Sequence, residues 1–586
     1  MLLKKLKKIG VVGPAFKLLK SYLSNRKQFV SINNQNSKYV PINYGVPQGS
    51  ILGPLLFQIY INDISQLILN GEIFLYADDT AIFYLRKDLD ILLENTQTDL
   101  EKINSWLQSN MLTINVKKTG YMILSSPRKI IPPHTQRLVC PGPGNPRQQA
   151  VVEAFQHAWA GYKKFAWGHD HLRPLTGGYH DWFSLGLTLI DGLDTAYIMG
   201  LTAEYKEAKE WVATKLSFDV NKDVNLFEVT IRVLGALLSN YHLSGDEMFL
   251  EKATPSGIPY SDVNLATRQA HSPKWSPDSS TSEVTTIQLE FRDLSRSSND
   301  PRFEKAAAKV SEHVHSLGKT HGLVPIFISP NSGQFLTYST ITLGARGDSY
   351  YEYLLKQWLQ TGKTIDYLRD DYILAIEGVQ ELLVRKTVPN NYVFLGELIS
   401  SGKTQKELKP KMDHLTCYLP GTLALGVKNG MPDWHLKLAE DLMFTCYKTY
   451  AIHPTFLAPE ITYFNLQNEV ATDMYVKSND AHNLLRPEYL ESLWYLYQLT
   501  GNSTYQTWGW QIFQAFEKYT RVQNGYTSIG SVKSIENTRP RDMMESFFLG
   551  ETLKYCYLLF GDDKFTLDLN KFVINSEAHP LPIRTT

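Results

Sequence analysis

Acidic residues are missing from the start of this 586-residue chain: none occurs before Asp63, whereas nine Lys or Arg do. Over the whole chain the charges balance, 59 Lys and Arg against 59 Asp and Glu, so the basic start is a local feature. It points to a segment that faces nucleic acid, followed by something different. Cysteine is almost as scarce. Four residues, Cys140, Cys417, Cys446 and Cys556, exclude a disulfide scaffold and leave room for one bridge. No apolar run reaches the length of about 20 residues that a membrane-spanning helix needs. The opening MLLKKLKKIGVVGPAFKLLK places Lys before a short apolar run that contains Pro14 and ends at Lys17, with no small-residue cleavage site after it. It is a poor signal peptide. What is present is a globular composition, 43% hydrophobic and 20% charged, at a length that implies two or more domains.

The stretch FLYADDTAIF, residues 74–83, sets Asp78 and Asp79 side by side in an apolar frame. Adjacent carboxylates there are costly unless something binds them. A strand–turn–strand with two Asp at its tip is what a magnesium-dependent polymerase uses. Together with YGVPQGSILGPLLFQIYINDI (44–64), WLQSNMLTIN and KKTGYMILSS, the stretch resembles the palm of non-LTR retrotransposon reverse transcriptases over residues 1–126. Two-metal phosphoryl transfer needs carboxylates from at least two strands, holding ions about 4 Å apart. In that family a further Asp precedes the GVPQGS block, and none does so here; Asp63 follows the block. Residues 1–126 therefore read as a partial palm, a small α+β fragment that does not polymerise, with Asp78 and Asp79 vestigial and nucleic-acid binding not functional.

Residues 127–145 are rich in Pro, Gly and basic side chains, break both helical and strand periodicity, and read as a linker. From 146 to 586 the pattern is helical and repeats. LLSNYHLSGDEMFLEKA (237–253) is echoed by FRDLSRSSNDPRFEKAA (291–307), LWYLYQLTGNSTYQTWG (493–509) and YCYLLFGDDKFTLDL (555–569). Each is an apolar helix, a Gly or Asn stop, an Asp, Asn or Ser start, and a second helix. Repeated helix pairs suggest a solenoid or a closed toroid, and the pattern alone does not choose.

Carboxylates near helix starts come next. Glu228 precedes Arg232 by four residues, a spacing that also suits a plain surface ion pair. Asp348 opens an aromatic helix, Glu488 follows Pro487, Glu491 lies about a turn later, and Glu545 and Glu551 bracket SFFLG. Acids beside aromatic faces suit a sugar, whose ring stacks on π surfaces and whose glycosidic bond needs two carboxyl groups.

The blocks AWAGYKKFAWGHDHLRP, GLTLIDGLDTAYIMGL, DVNLFEVTIRVLGALLS, EVTTIQLEFRDLS, TLGARGDSYYEYLLKQW, HNLLRPEYLESLWYLY, MESFFLGETLKY and NSEAHPLP closely resemble class I α-1,2-mannosidases, glycoside hydrolase family 47, and most closely its endoplasmic reticulum members. The resemblance covers nearly all of 144–586. It implies an (α/α)7 barrel, a mainly α fold, and an inverting, calcium-dependent enzyme that removes terminal α-1,2-mannose from high-mannose N-glycans of glycoproteins, as a monomer. It makes Glu228 and Asp348 the candidate acids and Glu488 the general base. It places Phe547 against the sugar, and Arg232, Glu283, Arg346, His414, Arg486, Glu491, Glu545, Glu551 and Glu577 around the pocket. Calcium takes hard oxygen ligands, and Ser576 stands where the family has a Thr that supplies hydroxyl and carbonyl oxygens. Cys417 and Cys446 match the family disulfide.

Two departures bear on these expectations. The family's N-terminal anchor is replaced by the palm fragment, so the chain is expected to stay cytosolic although the family's place is the endoplasmic reticulum or Golgi. After Ala253 the chain joins Thr254 almost directly, where the family continues its helix for about a dozen residues, roughly 18 Å. The alternatives are a catalytically impaired glycan-binding relative and a chimera of a retroelement with a neighbouring gene.

Overall fold

The computed structural model describes all residues except 1, 30, 33–34, 43–49, 77–78, 88, 111, 113, 115–118, 120–121, 123–145, 247, 250–260, 274–275, 401–405, 468–469, 562–566 and 585–586. Asp78, the whole 127–145 linker and the Ala253–Thr254 junction therefore lie outside the described residues. The chain divides into two compact units, Met1–Pro143 and Gly144–Thr586.

The first unit mixes helices with short hairpins. Pro14 sits in the first turn of helix Gly13–Leu23, where a missing N–H costs nothing. Strands Glu72–Tyr76 and Asp79–Phe83 pair antiparallel with Tyr76 opposite Asp79, which puts the exposed Asp79 at the hairpin end. Asp99, fully buried on helix Leu89–Ser109, accepts the N–H groups of Asn70 and Gly71 and fixes the turn before that hairpin. This unit is the α+β part of the chain.

The second unit closes on itself. Seven helices form an inner ring in the order Leu193–Ile198, Gly235–Ser244, Gln288–Ser298, Asp348–Gln360, Leu419–Lys428, Glu488–Thr500 and Leu553–Phe560, each packed on the next and the last packed on the first. A repeat left open between solenoid and toroid is thus a closed (α/α)7 barrel. Inner helices are buried nearly all round: every residue from Ser349 to Gln360 is buried, the polar Glu352, Lys356 and Gln357 included. Outer partners carry one apolar stripe. Arg302–Ser316 buries only Phe303, Ala307, Ser311 and Val314, at spacings of three and four.

The turns follow the stop-and-start chemistry of the sequence. Asn299 and Gly501 adopt positive φ just past their inner helices, and the Asn502 side chain caps the next helix by accepting the Thr504 N–H. One expectation fails. The fourth repeat has no second helix among its described residues, which run instead into a strand at Phe572–Ile574. The outer partner of Leu553–Phe560 is Pro146–Phe165, brought from the other end of the unit, and this pairing helps to close the barrel.

The chain then enters the ring. Strands Phe572–Ile574 and Pro580–Pro582 form a hairpin against the inner helices Gly235–Ser244, Gln288–Ser298 and Asp348–Gln360, with Ser576 and Glu577 at its tip. Gly235 makes room for it: a Cβ there would stand 2.6 Å from the Asn575 amide.

Candidate active site

Arg232 organises one wall of the pocket. Asn225 caps the turn Leu226–Val229 by accepting the Glu228 N–H, and its amide donates to Glu283 at 3.2 Å. The next five residues, Thr230–Leu234, form a π-helical turn, a local distortion that re-aims side chains and is frequent at functional sites. Arg232 projects from it. Its Nε lies 2.8 Å from Glu228, and its two terminal nitrogens grip both oxygens of Glu577 at 2.7–2.8 Å. A fork-shaped donor across a carboxylate fixes orientation as well as charge. The Glu228–Arg232 spacing is therefore an internal anchor and not a solvated surface pair.

Asp348 and Glu488 begin neighbouring features of the opposite wall and lie in opposite electrostatic states. Burial raises the Asp348 carboxyl to about 7, with the charges of Glu352, Glu488 and Asp413 adding to the rise against one N–H donated by Ser349. Burial alone would raise Glu488 as well. The His414 hydrogen bond and charge, together with Arg486, outweigh it and hold Glu488 below its ordinary value. His414 Nδ1 lies 2.8 Å from Glu488 and Arg486 Nη1 lies 3.8 Å from it, while Arg486 Nε is held by both oxygens of Glu460. Near neutral pH the pocket thus holds one carboxyl that is still partly protonated and one that has lost its proton.

Phe547 stands between the two arginines, its ring centre 5.9 Å from the Arg232 guanidinium and 5.8 Å from that of Arg486. Arg346 is held at φ 70°, an uncommon backbone state for a residue with a side chain, 4.0 Å from Glu283. Burial raises Glu283. Glu545 sits at the half-exposed edge, 3.7 Å from His171.

The floor is crowded with carboxylates. Burial raises Glu491 to about 8 and Glu577 to about 7, and raises Glu551 through burial and then through its neighbour Glu577. Lys356, fully buried, lies 2.5 Å from Glu352 and 3.4 Å from Glu491. Among the described residues no three or more His, Cys, Asp or Glu side chains converge as a metal cage. A cation here would rest on hard oxygens of other kinds. Ser576, half-buried at the hairpin tip, offers hydroxyl and carbonyl oxygens beside this surplus of buried acid, so the donor chemistry fits calcium.

The structure also shows residues that sequence reasoning missed. Asp191 and Asp194 are fully buried, bind His579 at 3.2 and 2.8 Å, and are joined by Lys554 at 2.8 Å from Asp194. Asp191 lies 3.7 Å from Arg232 and so supports it from behind. The signal was two acids three residues apart inside the apolar run LTLIDGLDTA. Glu460, which orients Arg486, carried no local signal. Cys417 and Cys446 are disulfide-bonded across 29 residues.

A closed ring of seven helix pairs with paired acids and an aromatic face at one mouth defines a glycoside hydrolase of the (α/α)7 class. Residues 154–583 match Glycosyl hydrolase family 47, and the chain belongs to that family. Residues 1–153 match reverse transcriptase (RNA-dependent DNA polymerase). The chain is 54% identical over 456 residues to the human endoplasmic reticulum mannosyl-oligosaccharide 1,2-alpha-mannosidase, covering 75% of this chain and 64% of that one. The rat protein of the same name is 55% identical over 458 residues, covering 76% and 69%. Among solved structures, the alpha-1,2-mannosidase from Trichoderma reesei superposes with a TM-score of 0.69 at 27% identity, covering 75% of this chain and all of that one.

Proposed function

We propose that the second unit is a calcium-dependent, inverting α-1,2-mannosidase that removes terminal mannose from high-mannose N-glycans. One observation carries the reading: Asp348 and Glu488 share a pocket, and near neutral pH the first still holds part of its proton while the second is ionised. Inversion needs both at once. Glu488 takes a proton from a water as its oxygen attacks the anomeric carbon. The Asp348 proton goes to the departing glycosidic oxygen, and the bond to it breaks. The product is mannose of inverted configuration, and the two carboxyls reset by exchange with solvent.

Glu228 is the other candidate acid; Arg232 Nε, 2.8 Å away, fixes the orientation of its carboxyl, which suits holding a water in place. Phe547 offers a face to the sugar ring, and Arg232, Arg346 and Arg486 offer donors to its hydroxyls. Calcium, held by Ser576, would supply a hard Lewis-acidic centre for sugar hydroxyls at the floor.

The Cys417–Cys446 bond suits an oxidising lumen, as do the relatives' names, against the cytosolic expectation. No helix among the described residues is long and apolar enough to cross a membrane.

The test is the full chain with calcium and a high-mannose oligosaccharide, followed by proton NMR of the first product formed. β-Mannose is expected. Initial α-mannose, or no release at any calcium concentration, overturns the proposal.

A further inference from the structure

Beside the pocket lies a three-stranded antiparallel sheet, Lys411–Asp413, Ile461–Phe464 and Met474–Tyr475, in that order. Its burial alternates strictly. Met412, Thr462, Phe464 and Met474 face the core, whereas Lys411, Asp413, Ile461, Tyr463 and Tyr475 face out. The register sets Lys411, Tyr463 and Tyr475 in one row across the three strands.

Two links tie this outward face to the catalytic wall. Asp413, two residues from Lys411 on the same face, reaches the segment that leads into Asp348: its carboxylate accepts the Ala345 N–H at 3.4 Å. The residue after Asp413 is His414, the partner of Glu488, and the residue before Ile461 is Glu460, the partner of Arg486. The face is therefore continuous with the pocket mouth. Three residues along a strand is about 10 Å, so Tyr463 stands that far outward from Glu460.

At the outer end of the row the two tyrosine rings stack, 5.4 Å apart at 21°, and Tyr475 on the edge strand is 46% exposed. The Tyr463 hydroxyl is pinned by Asp480 at 3.0 Å, and the Lys477 ammonium lies 3.9 Å from its ring centre. A rigid aromatic pair with a carboxylate and an ammonium at its margin suits a sugar: a π face for the C–H side and ionised groups for the hydroxyls.

We infer that this face is an outer subsite, with the Tyr463–Tyr475 pair holding mannosyl residues of the substrate that lie beyond the bond being cleaved. The inference rests on the mannosidase reading and extends it from the cleaved bond to the rest of the glycan. Such a surface makes the enzyme selective for large branched oligosaccharides over short ones.

The experiment compares the wild-type full chain with Tyr475→Ala and Tyr475→Phe on two substrates, a nine-mannose oligosaccharide and α-1,2-mannobiose, by kcat/KM and by calorimetric binding of the oligosaccharide. The ratio of kcat/KM, large over small, should fall about tenfold in Tyr475→Ala, mainly through KM, with Phe restoring most of it. An unchanged ratio, or an equal loss on both substrates, overturns the inference. If the wild type cleaves neither substrate, the mannosidase reading fails. Calorimetry then decides the subsite alone: weaker binding by Tyr475→Ala upholds it, and equal or undetectable binding rejects it.

Discussion

His414 joins Glu488 to the barrel wall: its Nδ1 lies 2.8 Å from the Glu488 carboxylate and its Nε2 lies 2.6 Å from the Tyr450 hydroxyl. Both ring nitrogens are engaged, so the imidazole cannot swing, and the carboxylate it holds keeps one orientation. In the proposed mechanism Glu488 is the general base, which must point at the water it activates, and this three-residue chain would supply the aim. Glu488→Gln keeps the shape and loses the basicity. It should lower kcat by about 10²–10⁴-fold with little change in oligosaccharide affinity. His414→Ala should lower kcat less and leave calcium-dependent melting in place. If Glu488→Gln turns over within tenfold of wild type, Glu488 is not the base.

The Asp348 carboxyl predicts a dependence on pH in both activity and stability. With a folded value of about 7 against an ordinary 3.8, the folded state holds a proton that the unfolded state has released. Stability from this group is thus complete below about pH 4 and is lost as pH rises through 7. At 1.36 kcal/mol per unit, discounted because the group opens onto the pocket, the loss is about 2–4 kcal/mol. Asp348→Asn is neutral throughout and should melt relatively higher at pH 8 than at pH 5 when each is compared with wild type. The alkaline limb of kcat/KM should fall near pH 7 and vanish with the substitution, while the Glu488 limb lies below its ordinary 4.5. A wild-type rate that is flat from pH 6 to 9 contradicts the assignment of Asp348 as the acid.

Much of this pocket was legible in local sequence because its residues sit at helix starts. Asp348 begins Asp348–Gln360 and Glu488 begins Glu488–Thr500, positions marked by a preceding Gly347 and Pro487. The helix pairs were legible for the same reason, since Asn299 and Gly501 are stops of a known kind. What local pattern cannot carry is closure. Leu553–Phe560 packs on Pro146–Phe165 and on Leu193–Ile198, contacts that span hundreds of residues. The same holds for Asp191 and Asp194, whose partner His579 lies at the other end of the unit. Asp170 is a further case: it accepts five backbone N–H groups from Trp182 to Leu187, and nothing in its flanking residues marks that role.

The Cys417–Cys446 bond joins the start of one inner helix to the outer helix paired with it. Closing a 29-residue interval restricts the unfolded chain, worth about 3–4 kcal/mol. The Cys417→Ala/Cys446→Ala double variant should lose about that much in denaturant unfolding, with kcat nearly unchanged once folded. Equal midpoints for the double variant and the oxidised wild type would show that the bond adds no stability.

The first unit should not polymerise. Asp79 lies at the hairpin end, and no acidic residue precedes Asp63 to bring a metal ligand from a second strand. Primer extension on an RNA or DNA template, with magnesium or manganese, should show no incorporation by the full chain. Incorporation that disappears in Asp79→Ala would refute this.

Calcium should act as a structural ligand as well as a catalytic one, because the groups around Ser576 are otherwise a cluster of buried acids. A ligand that binds only the folded state adds about 2.7 kcal/mol at a hundred times its Kd. Chelation should therefore lower the calorimetric midpoint of the second unit by several degrees, and added calcium should restore it, with or without substrate. Ser576→Ala removes one of the two oxygens the residue offers and keeps the backbone carbonyl. The calcium concentration that gives half the thermal shift should rise about tenfold or more, on the scale seen when a metal site loses one supporting contact. Ser576→Thr adds a methyl and keeps both oxygens, so its midpoint should match wild type or lie lower. The decisive comparison is Ala against Thr, since both alter packing and only one removes a donor. Equal midpoints for the two would show that the hydroxyl of Ser576 does not touch the ion, and a thermal midpoint unmoved by chelator in the wild type would remove calcium from this pocket altogether.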